Sequence, residues 1–176
     1  MRGREEAEPR TIIMTRDEFT IREADAADAV AITDIHRAAH REALPYLPVL
    51  HTPEGVLAFF RDRVLTQCEV WVGTLAGGPV AGFCVLKDER IDNLYVAPEH
   101  QRRGLGERLL RHAMGRRPSL QLWTFQRNVA ARRFYEKHGF LAIRETDGSG
   151  NEEREPDVLY AWSRSGENEP PIKLTA

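Results

Sequence analysis

The hydrophobic positions of this chain follow two periods that succeed one another along the sequence. Phe19 to Arg22 alternates with the two-residue period of a strand, and the Ala-rich stretch from Asp25 to about His40 carries apolar residues at helical spacing. The other predicted elements are a helix from Thr52 to about Thr66, strands at Arg90–Val96, Leu120–Phe125, Phe140–Arg144 and Asp157–Trp162, and helices over 105–117 and 128–137. The pattern predicts about seven strands and four helices in one mixed α/β layer without internal repeats.

One uncharged stretch has the composition of a membrane-spanning segment. Val70 to Leu86 contains no charged residue, and its length approaches the roughly 20 residues that span a bilayer. Ala76-Gly77-Gly78-Pro79 would break a helix in the middle of this stretch, and the flanking residues are strand formers. We therefore predict a β-hairpin here and no membrane partner.

The length and the distribution of charge indicate one domain with two tails. The chain has 176 residues, 41% hydrophobic and 30% charged, which is enough for one core. Residues 1–17 and 163–176 contain little core material, so they are predicted to be flexible tails around a domain at 18–162.

Net charge and cysteine content restrict the partners and the compartment. Twenty-five Lys and Arg residues against 27 Asp and Glu residues give a net charge of −2, which does not favour nucleic acid as a partner. Two cysteines are too few for a disulfide framework, and the polar N-terminus does not have the pattern of a secretion signal. We expect a cytoplasmic protein.

A strand followed by a glycine-containing loop and a helix is the most informative local pattern. In Gln101-Arg102-Arg103-Gly104-Leu105-Gly106, two glycines and two arginines precede an amphipathic helix. Free backbone N–H groups at a helix start bind anions, so the segment is a candidate phosphate site. The glycine spacing fits neither the dinucleotide fingerprint nor the P-loop. Taken alone, the segment is equally consistent with an ordinary glycine-rich turn.

A second block about 20 residues further on makes the pattern specific. It consists of Leu122-Trp123-Thr124-Phe125-Gln126-Arg127-Asn128 and Phe134-Tyr135-Glu136-Lys137-His138-Gly139-Phe140. With both blocks, the chain closely resembles the GCN5-related N-acetyltransferase (GNAT) superfamily, whose signature Gln/Arg-x-x-Gly-x-Gly/Ala matches residues 101–106. The specific resemblance covers about Arg90 to Phe140, and the order of elements extends it over Phe19 to Trp162.

The resemblance implies a twisted sheet whose fourth and fifth strands splay apart to admit the cofactor, acetyl-coenzyme A (acetyl-CoA), without a metal. The backbone of Leu94, Tyr95 and Val96 would then bind the pantetheine arm. The pyrophosphate would be held by Gln101, Arg102, Arg103, Gly104, Leu105 and Gly106. Asn128 would contact the cofactor from the next helix. Arg127, Arg132 and Arg133 would either meet a phosphate of the coenzyme or remain solvated.

The resemblance also implies direct transfer of an acetyl group to a primary amine of a small molecule or peptide in a ternary complex. Tyr135 is the expected general acid. A lysine amine has a pKa of about 10.4, so it must lose a proton before it attacks. Some relatives have a glutamate at the place of Trp123, and others have a carboxylate on the fourth strand. The resemblance therefore makes Asp92 and Glu89 candidates for the base, with a chain of water molecules as the alternative. A coenzyme-binding regulatory module with weak catalysis is the alternative function.

The wall of the acceptor site is the least defined part of the expectation. His36, His40, Tyr46 and His51 border it if the first two helices form that wall, as they do in the family. A solvated helix face and a packing loop explain these residues equally well. The family often dimerises, but no residue of this chain decides between a monomer and a homodimer.

Overall fold

The computed structural model of the protein describes residues 19–76 and 78–166. The predicted N-terminal tail, 1–17, lies outside the described residues, as do residues 167–176 of the predicted C-terminal tail. Ser163, where that tail was predicted to begin, is the last residue of the final strand.

A single seven-stranded sheet forms the centre of the molecule. Its strands are β1 (Phe19–Glu23), β2 (Glu69–Leu75), β3 (Val80–Lys87), β4 (Arg90–Val96), β5 (Ser119–Phe125), β6 (Leu141–Glu145) and β7 (Asp157–Ser163). Their order is β1-β2-β3-β4-β5-β7-β6, and every neighbouring pair is antiparallel except β4 and β5. The uncharged stretch forms β2 and β3, so the predicted hairpin is confirmed.

The helices correspond to the predicted ones. They are α1 (Ala29–Ala43), α2 (Pro53–Phe59), α3 (Leu65–Gln67), α4 (Leu105–Arg116) and α5 (Val129–Lys137). A π-helical segment at Phe60–Val64 joins α2 to α3, so these α-helices form four helical bodies within residues 19–76 and 78–166. Thr52 caps α2 by accepting a hydrogen bond from the Gly55 N–H, and the left-handed Gly139 follows α5. Within the described residues, no helix combines the length and hydrophobicity needed to cross a membrane.

The sheet opens between β4 and β5. These parallel strands share one register pair, Arg90 with Gln121, whereas β5 pairs with β7 along its whole length. In β3, Val85 pairs with Asn93 and Leu86 with Ile91, which leaves Asp92 bulged without a partner. A bulge bends its strand and increases the local twist, so β4 diverges from β5 beyond this point. The predicted splay of the fourth and fifth strands is confirmed.

Two hydrophobic clusters cover the two faces of the sheet. One face packs against α4 and α5 through residues such as Leu109, Tyr135 and Phe140. The opposite face packs against α1 and the α2 region, with Ile32 and Phe60 at its centre. The gap between β4 and β5 is therefore accessible from two differently built faces.

Candidate active site

The edge of β4 that lines the gap carries backbone groups that no strand pairs. The Ala97 N–H donates to the Ala81 carbonyl at 2.8 Å, which identifies these two residues as a hydrogen-bonded pair. Because such pairs alternate along an antiparallel ladder, the backbone groups of Leu94 and Val96 point into the gap and those of Tyr95 point toward β3. Of the three predicted backbone contacts, Leu94 and Val96 are therefore the ones directed at a ligand.

The start of α4 lies beside this edge and has the features of an anion site. Gly104 is the N-cap residue, with φ of 89°, and it offers no side chain to the first N–H groups of the helix. Arg102 also has a positive φ, 58°, so the loop turns sharply before the helix. The Gln101 side-chain amide donates to the Val96 carbonyl at 3.3 Å and ties the loop to β4. The free N–H groups and the helix dipole both favour a phosphate here.

Leu105 fixes the position of that helix start. Its side chain is 1% exposed and lies against two glycines of the sheet, Gly73 and Gly82. A Cβ at Gly73 would lie 2.4 Å from the Cδ1 methyl group of Leu105, and one at Gly82 would lie 3.1 Å from its Cδ2 methyl group. The two glycines therefore allow α4 to approach the sheet closely.

Gly106 and Asn128 face the same cleft from α4 and α5. A Cβ at Gly106 would point at Val96 and Phe134, 3.6 and 3.8 Å away. The Asn128 side-chain oxygen caps α5 by accepting from the Ala131 N–H at 3.1 Å. Its amide nitrogen has no hydrogen bond with any residue that the structure describes, so it is available to a ligand in the cleft.

Tyr135 lies on the inner face of α5 and is 8% exposed. Its ring packs against Phe134, Phe140 and Tyr160. Burial raises the pKa of the phenol, and the nearby ionisable groups of Cys84 and Tyr95 raise it further. Among residues 19–76 and 78–166, the hydroxyl has no hydrogen-bond partner. The phenol is therefore a protonated donor that is not engaged elsewhere.

Asp92, the predicted base, lies in the bulge of β4. Its carboxylate forms a hydrogen-bonded ion pair with the Arg90 guanidinium, and its side chain is 26% exposed. Asp92 is also close enough to raise the pKa of the Cys68 thiol, although burial is the larger cause of that shift. Asp92 thus lies on the strand that lines the gap, two residues before Leu94, and its carboxylate is paired with Arg90.

A cavity of about 690 Å³ opens on the face opposite α4 and α5, at the end of β5. Its walls come from β5, β6, β7 and the loop 146–156. The lining residues are Trp123, Thr124, Phe125, Arg144, Thr146, Ser149, Gly150, Asn151, Glu153 and Asp157. In the sequence, Trp123 is only the place of a missing glutamate, and residues 147–156 are a polar segment between two predicted strands.

The loop 146–156 contacts the connection between α1 and α2. His51 Nε2 lies 3.1 Å from the Glu152 carboxylate. The Arg127 guanidinium lies 3.8 Å from the centre of the Tyr46 ring and 3.5 Å from the Glu155 carboxylate. His51 and Tyr46 thus contact the loop that forms part of the cavity wall or its ion-pair partner, and neither is among the lining residues, so their role in the acceptor wall stays a prediction.

Two of the three arginines considered for phosphate binding have other partners. Arg127 is held by Tyr46 and Glu155, and Arg132 Nε donates to the Tyr160 hydroxyl at 3.1 Å. The Arg127 side chain is nevertheless 60% exposed, so a contact with a coenzyme phosphate and a solvated position both stay open for it. The positive charge beside the anion site at the start of α4 comes from Arg102 and Arg103, which precede α4 directly.

Comparison with known proteins agrees with this architecture. The family model described as "Acetyltransferase (GNAT) domain" matches residues 66–141. Peptidyl-lysine N-acetyltransferase YiaC of Escherichia coli is 29% identical over 144 residues, which is 81% of this chain and 95% of YiaC.

Solved structures show the same fold. The apo form of YjaB from E. coli has 21% identity and a TM-score of 0.70 over 82% of this chain and 97% of YjaB, which is also named a peptidyl-lysine N-acetyltransferase. Salmonella typhimurium yncA, solved with its cofactor acetyl-CoA, has 23% identity and a TM-score of 0.63, covering 89% of this chain and 99% of yncA.

The splayed sheet and the family match define an acyltransferase enzyme. The domain match over residues 66–141 and the N-acetyltransferase relatives support membership of the GCN5-related N-acetyltransferase (GNAT) superfamily.

Proposed function

We propose that the protein transfers an acetyl group from acetyl-CoA to the primary amine of a lysine side chain in a peptide or protein. The observation that carries this proposal is the gap between β4 and β5, where the backbone groups of Leu94 and Val96 face the uncapped start of α4. The lysine acceptor is supported by YiaC and YjaB, whose names specify peptidyl-lysine.

The residues present fit acetyl-CoA. Leu94 and Val96 would pair with the amide groups of the pantetheine arm as a neighbouring strand would. The N–H groups of the loop and helix start at Gln101–Gly106, with Arg102 and Arg103, would hold the pyrophosphate. Asn128 would donate from its free amide nitrogen, and the Tyr95 backbone would support β4 from the β3 side.

The chemistry requires three events at the inner end of the gap. Acetyl-CoA supplies a thioester whose C–S bond breaks when the amine nitrogen bonds to the carbonyl carbon. The Val96 N–H is directed to donate to the carbonyl oxygen, which gains negative charge during the attack. The sulfur leaves with the bonding electrons, and the protonated Tyr135 hydroxyl donates a hydrogen bond or a proton to it.

The ammonium group of the lysine must lose a proton before its nitrogen can attack, and this proton needs an acceptor. Asp92 is the candidate on β4, and it must exchange its contact with Arg90 for one with the substrate or with water. A chain of water molecules through the open cavity is the other route. The variant Asp92→Asn distinguishes them, because only the first route predicts a large loss of kcat with unchanged binding of acetyl-CoA.

The proposed function is tested with a panel of amines and a measurement of released coenzyme thiol. Peptides with one internal lysine, peptides with only a free N-terminus, polyamines and free amino acids form the panel. We expect acetyl-CoA-dependent thiol release with the lysine peptides above the rate without acceptor. Binding of acetyl-CoA without thiol release for any amine would contradict the proposal and favour a regulatory coenzyme-binding module.

A further inference from the structure

We propose that Glu153 is the specificity-determining residue that receives the positively charged amine of the acceptor. This inference rests on the proposed function, because it assigns the acceptor side of the same reaction. It concerns the cavity on the α1 and α2 face, which is separate from the α4 and α5 face where acetyl-CoA is proposed to bind.

The cavity lies against the part of β5 that borders the gap. Trp123 and Phe125 line the cavity, and both belong to the part of β5 that lies beyond its single register pair with β4. An acceptor that lies over these two aromatic residues would reach the gap from the face opposite the cofactor. The cavity is therefore in a position for an acceptor to approach the thioester.

Two carboxylates line this cavity, and Asp157 is already used by the protein. One of its oxygens accepts from the Thr146 hydroxyl, and the other accepts from the Asn151 amide at 3.1 Å. Asp157 thus organises the loop. Glu153 forms no ion pair or hydrogen bond with any residue in the part of the chain that the structure describes, so its oxygens are available to a substrate.

The neighbouring glutamates of the same loop, unlike Glu153, form ion pairs. Glu152 pairs with His51, and Glu155 pairs with Arg127. These two ion pairs attach the loop to the α1–α2 connection and to the start of α5. They leave Glu153 between them, partly buried and lining the cavity.

The loop has the hydrogen bonds of a preorganised wall. The Asn151 amide donates to the Glu155 carbonyl at 2.8 Å, and the Glu155 N–H donates to the Asn151 side-chain oxygen at 3.2 Å. At Gly148, whose φ is 82°, a Cβ would lie 2.3 Å from the Glu155 backbone. This close approach folds the loop back on itself and holds residue 153 in place.

Electrostatic interactions place Glu153 near the acceptor side of the gap. Burial raises the pKa of Tyr95 to about 12, with Glu153 as the second cause, and Glu153 opposes the lowering of the His40 pKa by burial. Tyr95 in turn contributes to the raised pKa of Tyr135. The negative charge of Glu153 therefore acts close to the residues that surround the reacting centre.

A carboxylate in this position selects for a cationic acceptor. An ammonium group that enters a half-enclosed cavity loses part of its hydration, and Glu153 compensates for that loss. The one cationic residue among those lining the cavity, Arg144, lies over the Trp123 ring at 4.9 Å and repels an ammonium group on its own side. The opposing charges of Arg144 and Glu153 thus orient the amine toward Glu153. The amine then gives up its proton, to Asp92 or to water, before the attack.

The test compares Glu153→Gln with the matched control Glu152→Gln. Each variant is assayed with a lysine peptide and with the same peptide carrying an aminooxy group, which is uncharged at neutral pH, in place of the side-chain amine. For Glu153→Gln we expect the KM of the lysine peptide to rise about tenfold, because one charge-assisted contact with the ammonium group is lost. The KM of the aminooxy peptide and the affinity for acetyl-CoA should change less than twofold. Glu152→Gln should resemble the wild type, because glutamine keeps an oxygen that can accept a hydrogen bond from His51 at this exposed contact.

An equal KM rise for both peptides, or none for either, would overturn the role of Glu153 while leaving the proposed function intact. Calorimetric titration of the lysine peptide into the protein with coenzyme A provides a readout that needs no turnover. If Glu153→Gln weakens the binding of the lysine peptide and Glu152→Gln does not, the role of Glu153 is supported, even if the acetyl donor is not acetyl-CoA. A wild type that neither binds nor acetylates the peptide contradicts both proposals.

Discussion

Single side chains at the centre of the molecule owe their chemical state to burial. Tyr135 remains a phenol because the apolar surroundings raise its pKa, and His36 remains neutral because burial lowers its pKa to about 4. Burial thus prepares a hydrogen-bond donor in the first case and creates a sensitivity to acid in the second. Each consequence can be measured separately.

Replacement of the Tyr135 hydroxyl should affect turnover and leave cofactor binding intact. For Tyr135→Phe we expect kcat to fall by about 10²-fold or more, since a positioned acid contributes about 10²- to 10⁴-fold. The dissociation constant of acetyl-CoA should change little because the ring remains. Tyr160→Phe is the control, since its hydroxyl donates to Glu136 at 2.6 Å and should affect stability alone. Equal kcat losses in both variants would argue against the acid role.

His36 should make the protein less stable as the pH falls. Its folded pKa of about 4 lies below the unfolded value of about 6.5, so the unfolded state binds more protons in this range. Its contribution to the free energy of unfolding is complete above about pH 6.5 and falls toward pH 4, by at most about 1.4 kcal/mol per pH unit. Urea unfolding of the wild type and His36→Gln at several pH values tests this. An identical pH dependence in the two proteins would show that His36 has no such effect.

Whole elements could be predicted from the sequence because their signals are local. Helical spacing, the capping residues Thr52 and Asn128, and glycines such as Gly139 define the helices correctly. The bulge at Asp92 has no local signal, because it depends on how β3 pairs with β4. The position of Glu153 depends on hydrogen bonds and ion pairs with distant elements, so the sequence showed only a polar loop.

The anchoring of α4 by Leu105 gives a prediction about an element. Leu105→Ala and Leu109→Ala both remove a buried side chain of α4, and each should lower the free energy of unfolding by about 2–5 kcal/mol. Leu105 holds the first turn against Gly73 and Gly82, so only its replacement should also weaken acetyl-CoA binding, by several-fold. Chemical denaturation and calorimetry measure the two effects. Equal affinities of the two variants would contradict the anchoring role.

At the scale of the whole molecule, the sheet separates two binding faces and the gap between β4 and β5 connects them. The proposed cofactor face has the start of α4 with Arg102 and Arg103, and the proposed acceptor face has a cavity lined by the carboxylates of Glu153 and Asp157. The net charge of −2 therefore combines regions of opposite sign. This division suits an anionic cofactor and a cationic acceptor that meet in the gap.

We expect acetyl-CoA to bind in the gap between β4 and β5 and at the start of α4. Thermal unfolding with added acetyl-CoA measures this binding. The wild type should gain about 2.7 kcal/mol at a ligand concentration 100 times the dissociation constant. Gly104→Asp, which adds a negative charge at the N-cap of α4, should show no ligand-dependent shift from its own melting temperature. No shift for the wild type at millimolar acetyl-CoA, or equal shifts for both proteins, would contradict the account.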